Sequence, residues 1–434
     1  MKYFKAVFCI IMVAVLLSGC NFRISSSIDD LISPLSPFGD NADVKEALDL
    51  FASNGYSLKT PSYGKYISSY NFYDIDLDGE DEALAFYEPS DNLGTVSLAA
   101  LKKTDGQWKV VSNVKGIGKD VYSLDFAQLD SKGNIEIIVC WDNISNSTSH
   151  ELAVYRYDKR EGKTALTAIE DTVNVSYCYV TDMFKDGRDR LLLFNIYSGS
   201  SSSPRASLCS LEGGRLTIIS DTKLDSRIVS FFSIQSEDYD GSVRVYADAL
   251  TSDSDLVLTE YIKWSDEYNS IDSPFYNYST ARTVSTERHA VIPSMDVDGD
   301  GQLEIPVDYS IKKLPKSVKA FEFKNYKLDT LVHKSYAIAS ASDKYLIGVP
   351  DEYIDSLSVH YNSKTREMTV RNKSTKRPIV SVMPALKATY SAEKYSDYTL
   401  IAESKGYCYL AKLGNDGEIK FTTDDVKNYF KAID

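Results

Sequence analysis

Two nine-residue segments of the sequence carry oxygen-bearing side chains at alternate positions. One runs from Asp74 to Glu82 and the other from Asp296 to Glu304. In both, positions 1, 3, 5 and 9 offer a side-chain oxygen, position 6 is glycine, and position 7 has a backbone carbonyl available. A hard cation with about six to eight oxygen ligands needs a tight loop whose alternate side chains converge, and glycine permits the sharp bend. Calcium fits this pattern, and an Asp-Gly turn with solvated carboxylates is the alternative.

The glycines of these segments belong to a longer repeat. Glycines that close Asp-rich segments recur at intervals of 54, 54, 54 and 60 residues, at Gly79, Gly133, Gly187, Gly241 and Gly301. A period in this range is typical of stacked or radially repeated units. Short β-like runs separated by turn signals lie between the glycines, and they predict four strands in each repeat. In the first repeat the predicted strands are Tyr66–Tyr73, Glu82–Tyr87, Thr95–Lys102 and Gln107–Ser112.

The predicted fold class is therefore all-β, a β-propeller of four-stranded blades. Five repeats are clear, up to seven blades are compatible with the length, and a small C-terminal α+β region comes after them. A blade of about 50 residues cannot bury both faces of its own sheet, so neighbouring repeats must pack face to face. The predicted parts are a signal peptide (1–19), a lipid-anchored linker (20–40), a short helix and lead-in (41–64), the propeller (65–345) and the C-terminal region (346–434). As an alternative, the C-terminal hairpins supply further irregular blades.

The acidic segments resemble the FG-GAP/VCBS repeats of integrin-α-type β-propellers. In that family such a loop joins the first two strands of a blade and binds calcium, and the resemblance covers residues 65–345. It implies structural calcium as a cofactor, with Glu in place of the commoner Asp at position 9 of both loops. The implied ligands are Asp74, Asp76, Asp78, Glu80 (through its carbonyl) and Glu82 in one site, and Asp296, Asp298, Asp300, Gln302 (through its carbonyl) and Glu304 in the other.

The second, third and fourth repeats depart from this pattern. Lys132, Arg190 and Arg244 stand where an oxygen ligand belongs. These repeats are predicted to form plain hairpin loops, with an internal salt bridge in place of the cation.

The N-terminus has the pattern of an export signal. Lys2 and Lys5 precede twelve apolar residues from Ala6 to Leu17, which are too few to span a bilayer of about 30 Å as a helix. The next four residues, Leu17-Ser18-Gly19-Cys20, resemble the lipobox of bacterial lipoproteins, which implies lipid attachment at Cys20. The expected location is the extracytoplasmic face of the cell membrane, and an ordinary signal peptide that happens to contain a cysteine is the alternative.

The net charge of the chain excludes some classes of binding partner. The chain has a formal net charge of −14, and removal of residues 1–19 makes it −16. Nucleic acid and anionic lipid would both be repelled by this field, so we expect no nucleic-acid partner and membrane attachment only through the lipid. A monomer is expected. Four further cysteines (Cys140, Cys178, Cys209 and Cys408) lack metal-ligand spacing, and they are either disulfide-bonded or buried as free thiols.

The sequence favours recognition over catalysis. It contains no GxSxG, HExxH, Walker or GxGxxG motif, and its four histidines stand outside any recognisable motif. A protein or glycan ligand is therefore predicted, and aromatic residues with polar tips suit such surfaces. The candidate contact residues are Trp264, Tyr268, Phe275, Tyr276 and Tyr278. Two alternatives stay open: a polysaccharide hydrolase or lyase with its site at the propeller axis, and a structural envelope component.

Overall fold

The computed structural model describes residues 40–130, 133–142, 148–160, 163–169, 172–196 and 203–433. The predicted signal peptide, Cys20, nearly all of the linker and Lys132 lie outside the described residues. Helix α1 (Asp40–Phe51) comes first and overlaps the part of the chain where the sequence predicts a short helix (41–64), and antiparallel strands make up most of the described chain beyond it. Within the described residues, no helix is both long enough and apolar enough to cross a membrane.

Three antiparallel sheets, here called blades 1 to 3, come after α1. Blade 1 contains β1 (Tyr56–Lys59), β2 (Tyr70–Tyr73), β3 (Glu82–Pro89), β4 (Ser97–Thr104) and β5 (Gln107–Lys115). Blade 2 contains β6 (Asp120–Ala127), β7 (Glu136–Asp142), β8 (His150–Arg160), β9 (Lys163–Ala168) and β10 (Val173–Val175). Blade 3 contains β11 (Tyr177–Thr181), β12 (Arg190–Asn195), β13 (Arg205–Glu212) and β14 (Arg215–Lys223). The extra strand of blade 1 arises because β1 and β2 pair in line with the same edge of β3.

Three more sheets complete the fold. Blade 4 contains β15 (Ile228–Tyr239), β16 (Ser242–Thr251), β17 (Val257–Ser265) and β18 (Ser270–Asp272), and a small hairpin of β19 (Tyr276–Asn277) and β20 (Arg282–Thr283) lies after it in the chain. Blade 5 contains β21 (Ile305–Tyr309), β22 (Lys319–Lys327), β23 (Thr330–Ser340) and β24 (Tyr345–Val349). Blade 6 contains β25 (Leu357–Asn362), β26 (Glu367–Asn372), β27 (Pro378–Leu386), β28 (Thr399–Glu403) and β29 (Tyr407–Leu413).

Strands β3, β7 and β12 are buried on both faces along most of their length, which explains their continuous apolar sequences. In β3 the first six residues, Glu82 to Tyr87, are all buried. The fourth strand instead alternates, as in β5, where buried Trp108 lies between exposed Gln107 and Lys109. A strand that is sandwiched between neighbouring sheets needs apolar side chains on both faces. A strand with one solvated face needs an apolar side chain only at every second position.

Neighbouring blades pack in chain order through aromatic and aliphatic contacts. Phe86 of blade 1 meets Trp141 of blade 2 with ring centroids 5.6 Å apart, and Phe194 of blade 3 meets Phe231 of blade 4 at 4.9 Å. Apolar clusters likewise join blades 2 and 3, 4 and 5, and 5 and 6. The remaining face of blade 1 packs against α1. This succession of face-packed antiparallel sheets of four or five strands confirms the predicted all-β propeller class.

The C-terminal region is tied into blade 5. Helix α2 (Thr423–Tyr429) begins after Thr422, whose hydroxyl accepts from the backbone of Asp425 while the Asp425 side chain accepts from the backbone of Thr422. This reciprocal cap satisfies two amide groups that the first turn of a helix otherwise leaves unpaired. Strand β30 (Phe430–Ala432) then pairs with β24. Because β24 spans the predicted boundary at 345/346, the C-terminal region and blade 5 share one sheet.

Gly116 allows blades 1 and 2 to approach closely. A Cβ at this position would lie 2.4 Å from the ring of Trp141 and 2.8 Å from the carbonyl of Val96. We therefore expect Gly116→Ala to destabilise the protein by about 1–3 kcal/mol, the usual cost of overpacking a core. Denaturant unfolding measures the change. Gly406→Ala is the matched control, since a Cβ there meets no atom within 4 Å and should change stability little; an equal loss in both variants would contradict the packing explanation.

Candidate cation loops and an interblade groove

The five repeat glycines occupy equivalent places in the fold. Each lies one to four residues before a strand, which in blades 1 to 5 is β3, β7, β12, β16 and β21 respectively. Their φ angles are all positive and lie between 73° and 89°. Residues with a Cβ rarely adopt positive φ angles, so the regular spacing of these glycines in the sequence corresponds to a repeated bend of the backbone.

In blade 1 the acidic loop folds around Asp74. Its Oδ1 accepts from the backbone N–H of Asp78 at 3.0 Å, and its Oδ2 accepts from Gly79 at 3.0 Å. Carboxylate oxygens of Asp74, Asp76 and Asp78 all lie within 4.8 Å of one another. This spacing gives three of the oxygen ligands that a calcium ion would need.

An ammonium group lies among the same carboxylates. Lys102 of β4 places Nζ 2.9 Å from Asp76 and 2.7 Å from Asp78, and it also pairs with Glu82. Burial by itself would lower the pKa of Lys102, but the bonds to the three carboxylates outweigh it and raise that pKa. Lys102 therefore supplies an internal positive charge where the sequence predicts a bound cation.

The loop of blade 5 repeats this arrangement with a lysine from another strand. Oxygens of Asp296, Asp298 and Asp300 lie within 4.8 Å of one another. Lys334 of β23 places Nζ 2.8 Å from Asp298 and 2.6 Å from Asp300, and these bonds raise its pKa. Both predicted loops thus bring their aspartates together, and both contain a lysine that the sequence analysis missed.

The glutamate at position 9 has a structural task in three repeats. Glu82, Glu136 and Glu304 are completely buried. One oxygen of each accepts from the backbone N–H at position 2 of its own loop, at 3.0 Å from Ile75, 2.9 Å from Leu129 and 3.0 Å from Val297. Burial raises the pKa of Glu82 and Glu136, and raises that of Glu304 to about 7. Glutamate is long enough to close the loop in this way, which accounts for its presence where the resemblance leads one to expect Asp.

Salt bridges are found in the repeats that lack the full acidic pattern. Arg156 lies 2.8 Å from Asp130 in blade 2, and Arg190 donates to Asp186 at 2.7 Å in blade 3. In blade 4, Arg244 lies 3.5 Å from Glu237. A basic side chain therefore accompanies the acidic groups near the repeated bend in blades 1 to 5.

The five aromatic residues predicted as ligand contacts have different environments. Trp264 packs edge-on against Phe184 of blade 3, with ring centroids 4.7 Å apart. Phe275 packs against Tyr261 and Tyr326 in the core, and Tyr276 is buried. The side chains exposed for contact are Tyr268 and Tyr278, at 68% and 70% exposure.

A cavity of 1070 Å³, here called the interblade groove, opens where blades 4 and 5 meet. Its lining includes the loop after β16 (Asp253–Leu256), the segment His289–Val291 and most of the stretch 310–319, which runs from the loop after β21 to the first residue of β22. His289 Nδ1 lies 2.5 Å from Asp308 Oδ2, and the His289 backbone N–H donates to both oxygens of Asp308 at 3.1 Å. Sequence analysis did not find this groove, because its parts are separated along the chain and no local motif marks them.

No family model matches the sequence, and no curated protein matches it. Among solved structures, the chain is similar to one described as "Structure of Dos1 propeller", with 9% identity and a TM-score of 0.30, over 81% of this chain and 84% of that one. Strand pairing and blade packing define this chain as a β-propeller.

Proposed function

We propose that this protein is a lipid-anchored β-propeller at the extracytoplasmic face of the cell membrane, where it binds a protein or glycan ligand. The proposed ligand binding rests on the interblade groove, an open cavity of 1070 Å³ bordered by strands of two packed blades. Loops held by a rigid scaffold are common carriers of binding sites. The N-terminal export pattern and Cys20 support the location.

The full-length chain provides the test of recognition. It is presented to a glycan array and to fractionated envelope proteins, once with calcium chloride and once with EDTA. Saturable binding to a glycan or to one protein fraction is the expected result. The absence of saturable binding under both conditions would contradict the proposal.

We further propose that the two acidic loops hold calcium ions that brace the propeller. The support is the convergence of three aspartate oxygens in each loop, together with the resemblance to FG-GAP/VCBS loops. Asp74, Asp76 and Asp78 would hold one ion, with the carbonyl of Glu80 and with Glu82. Asp296, Asp298 and Asp300 would hold the other, with the carbonyl of Gln302 and with Glu304. Calcium would then serve stability rather than chemistry, because oxygen ligands fill its coordination shell.

Calcium should therefore stabilise the folded chain. With dissociation constants of roughly 10⁻⁴ to 10⁻³ M, as in extracellular modules, about 10 mM calcium would add about 1–3 kcal/mol per site to the free energy of unfolding. Denaturant titration in calcium chloride and in EDTA measures the difference. Asp76→Asn and Asp298→Asn should each remove part of it. Identical unfolding curves in calcium and EDTA would overturn the proposal.

Lys102 gives a sharper form of the calcium prediction. If an ion is to enter the first loop, the ammonium group must leave Asp76 and Asp78. Lys102→Met removes this competitor and keeps the length of the side chain, so we expect the first site to bind calcium about tenfold more tightly by calorimetry. Lys103→Met, on the same strand but remote from these aspartates, is the control. Equal affinity in both variants would show that Lys102 does not compete.

A further inference from the structure

The interblade groove contains three lysines without acidic partners. Lys313, Lys316 and Lys319 all line it and are exposed, and none has an ion-pair partner among the residues that the structure describes. The chain as a whole, by contrast, is strongly acidic, with a net charge of −14. Such a concentration of unpaired positive charge attracts an anion, because ammonium groups bind carboxylate or phosphate most strongly when no internal acid competes.

The backbone that carries these lysines is anchored. Ile311 and Leu314 pack against the apolar cluster shared by blades 5 and 6, and Val318 is buried. The N–H of Val318 also donates to the carbonyl of Pro315 at 3.0 Å. Apolar residues therefore alternate with the lysines along the loop and fix its backbone, so less conformational entropy is lost when a ligand binds.

Other groups in the groove could form hydrogen bonds with the hydroxyl groups of a sugar. Asp253, Ser254 and Asp255 line it from the loop after β16. Asp253 is paired with Arg227 at 3.2 Å, whereas Asp255 has no ion-pair partner among the described residues. His289 adds an imidazole whose Nδ1 is taken by Asp308 and whose side chain is 57% exposed. Carboxylates accept hydrogen bonds from sugar hydroxyls, while they repel a ligand with densely spaced negative charges.

We propose that the interblade groove binds an anionic glycan, whose sugars carry carboxylate or phosphate groups together with free hydroxyls. The lysines bind the acidic groups, and Asp255 and the neighbouring hydroxyl groups bind the sugar hydroxyls. An acidic polypeptide lacks those hydroxyls and brings its charges against Asp253 and Asp255. The inference rests on the proposed recognition function and names the ligand class of its groove.

The test measures binding of defined polymers to the full-length chain by calorimetry. Oligogalacturonate presents carboxylates on its sugars and phosphomannan presents phosphates on its sugars, so the two separate the sources of charge. Maltohexaose is the neutral control, and poly-L-glutamate is the acidic polypeptide control. We expect one or both anionic polymers to bind, with affinity falling as salt is raised, and neither control to bind comparably.

Charge-neutralising variants locate the site. Lys313→Gln, Lys316→Gln and Lys319→Gln, combined, should weaken binding by about tenfold or more, because the contacts to the anionic groups are lost. The matched control combines Lys364→Gln, Lys405→Gln and Lys420→Gln, which remove the same charge from exposed positions elsewhere. The control should bind within about twofold of the unmodified chain, since its changes lie outside the groove. Unfolding curves establish that both variants are folded.

Three results would overturn the proposal: equal affinity in the two triple variants, tighter binding of poly-L-glutamate than of the glycans, or no binding of either anionic polymer. If the two triple variants bind the polymers equally well while the unmodified chain binds an envelope fraction, the groove assignment fails and the recognition function stands. If the unmodified chain binds no glycan and no envelope fraction, both fail.

Discussion

Replacing Asp248 with Asn should lower the free energy of unfolding by about 3–5 kcal/mol, as expected when one partner of a buried ion pair is removed. The side chains of Asp248 and Arg288 are both fully buried, and they lie 2.8 Å apart. Burial lowers the pKa of Arg288, and Asp248 provides its nearest negative charge. Without that carboxylate the guanidinium stays inside the protein uncompensated. Denaturant unfolding at pH 7 measures the loss.

The Asp248–Arg288 pair matters because it links the segment 286–294 to blade 4. Asp248 also accepts from Thr259 Oγ1 at 2.6 Å and from the backbone N–H of Ser294 at 2.9 Å. Arg288 donates through Nε to the carbonyl of Ile292 at 2.8 Å. Since His289 is the next residue in the chain, the network positions one side of the interblade groove. Asp248→Asn should therefore also increase amide hydrogen exchange around residues 286–294.

Asp238→Asn is the matched control for this prediction. Asp238 belongs to the same blade and pairs with Lys185, but its side chain is 53% exposed. Its loss should cost at most about 1 kcal/mol, the usual range for surface pairs. Combining Asp248→Asn with Arg288→Gln removes both buried charges and should recover part of the stability. Similar losses in Asp248→Asn and Asp238→Asn would contradict the importance assigned to the buried pair.

The repeated strands could be predicted from the sequence because their signals are local. The predicted strand Thr95–Lys102 corresponds to β4 (Ser97–Thr104), and the predicted Glu82–Tyr87 corresponds to β3 (Glu82–Pro89). Apolar runs, turn residues and the glycine period each depend on a few neighbouring positions. The positions of the aspartates in the two loops are predictable in the same way, because one bend brings alternate side chains together.

The partners of those aspartates could not be predicted, because they depend on strand register. Lys102 reaches the first loop only because β3 pairs with β4 so that Ala83 stands opposite Leu101. In blade 5 the corresponding lysine comes from β23, one strand further along, so no fixed spacing in the sequence identifies it. Whether Trp264 packs against the fold or contacts a ligand could not be predicted either, because its neighbour Phe184 lies in another blade.

The second prediction with a large expected effect concerns Glu260 and the dependence of stability on pH. Its carboxylate is completely buried in blade 4, where it accepts from the backbone N–H of Asp225 at 2.7 Å and from Ser273 Oγ at 3.0 Å. Burial raises the pKa of Glu260 to about 7, although these hydrogen bonds act in the opposite direction. In the unfolded chain a glutamate titrates near pH 4.3, so the folded state binds this proton more tightly. The stabilisation is complete below about pH 4.3 and is lost as pH rises through about 7.

Glu260→Gln should remove this part of the pH dependence. Glutamine keeps the shape and an accepting oxygen but never ionises, so at pH 8 we expect the variant to be more stable than the unmodified chain by about 3–4 kcal/mol. Denaturant unfolding from pH 4.5 to 8 gives the profile. Asp125 and Glu304, whose pKa values burial also raises to about 7, should leave a residual slope in the variant. Glu267→Gln, at an exposed position, should keep the full slope. If Glu260→Gln and Glu267→Gln have parallel profiles, Glu260 is not the group whose ionisation destabilises the folded chain.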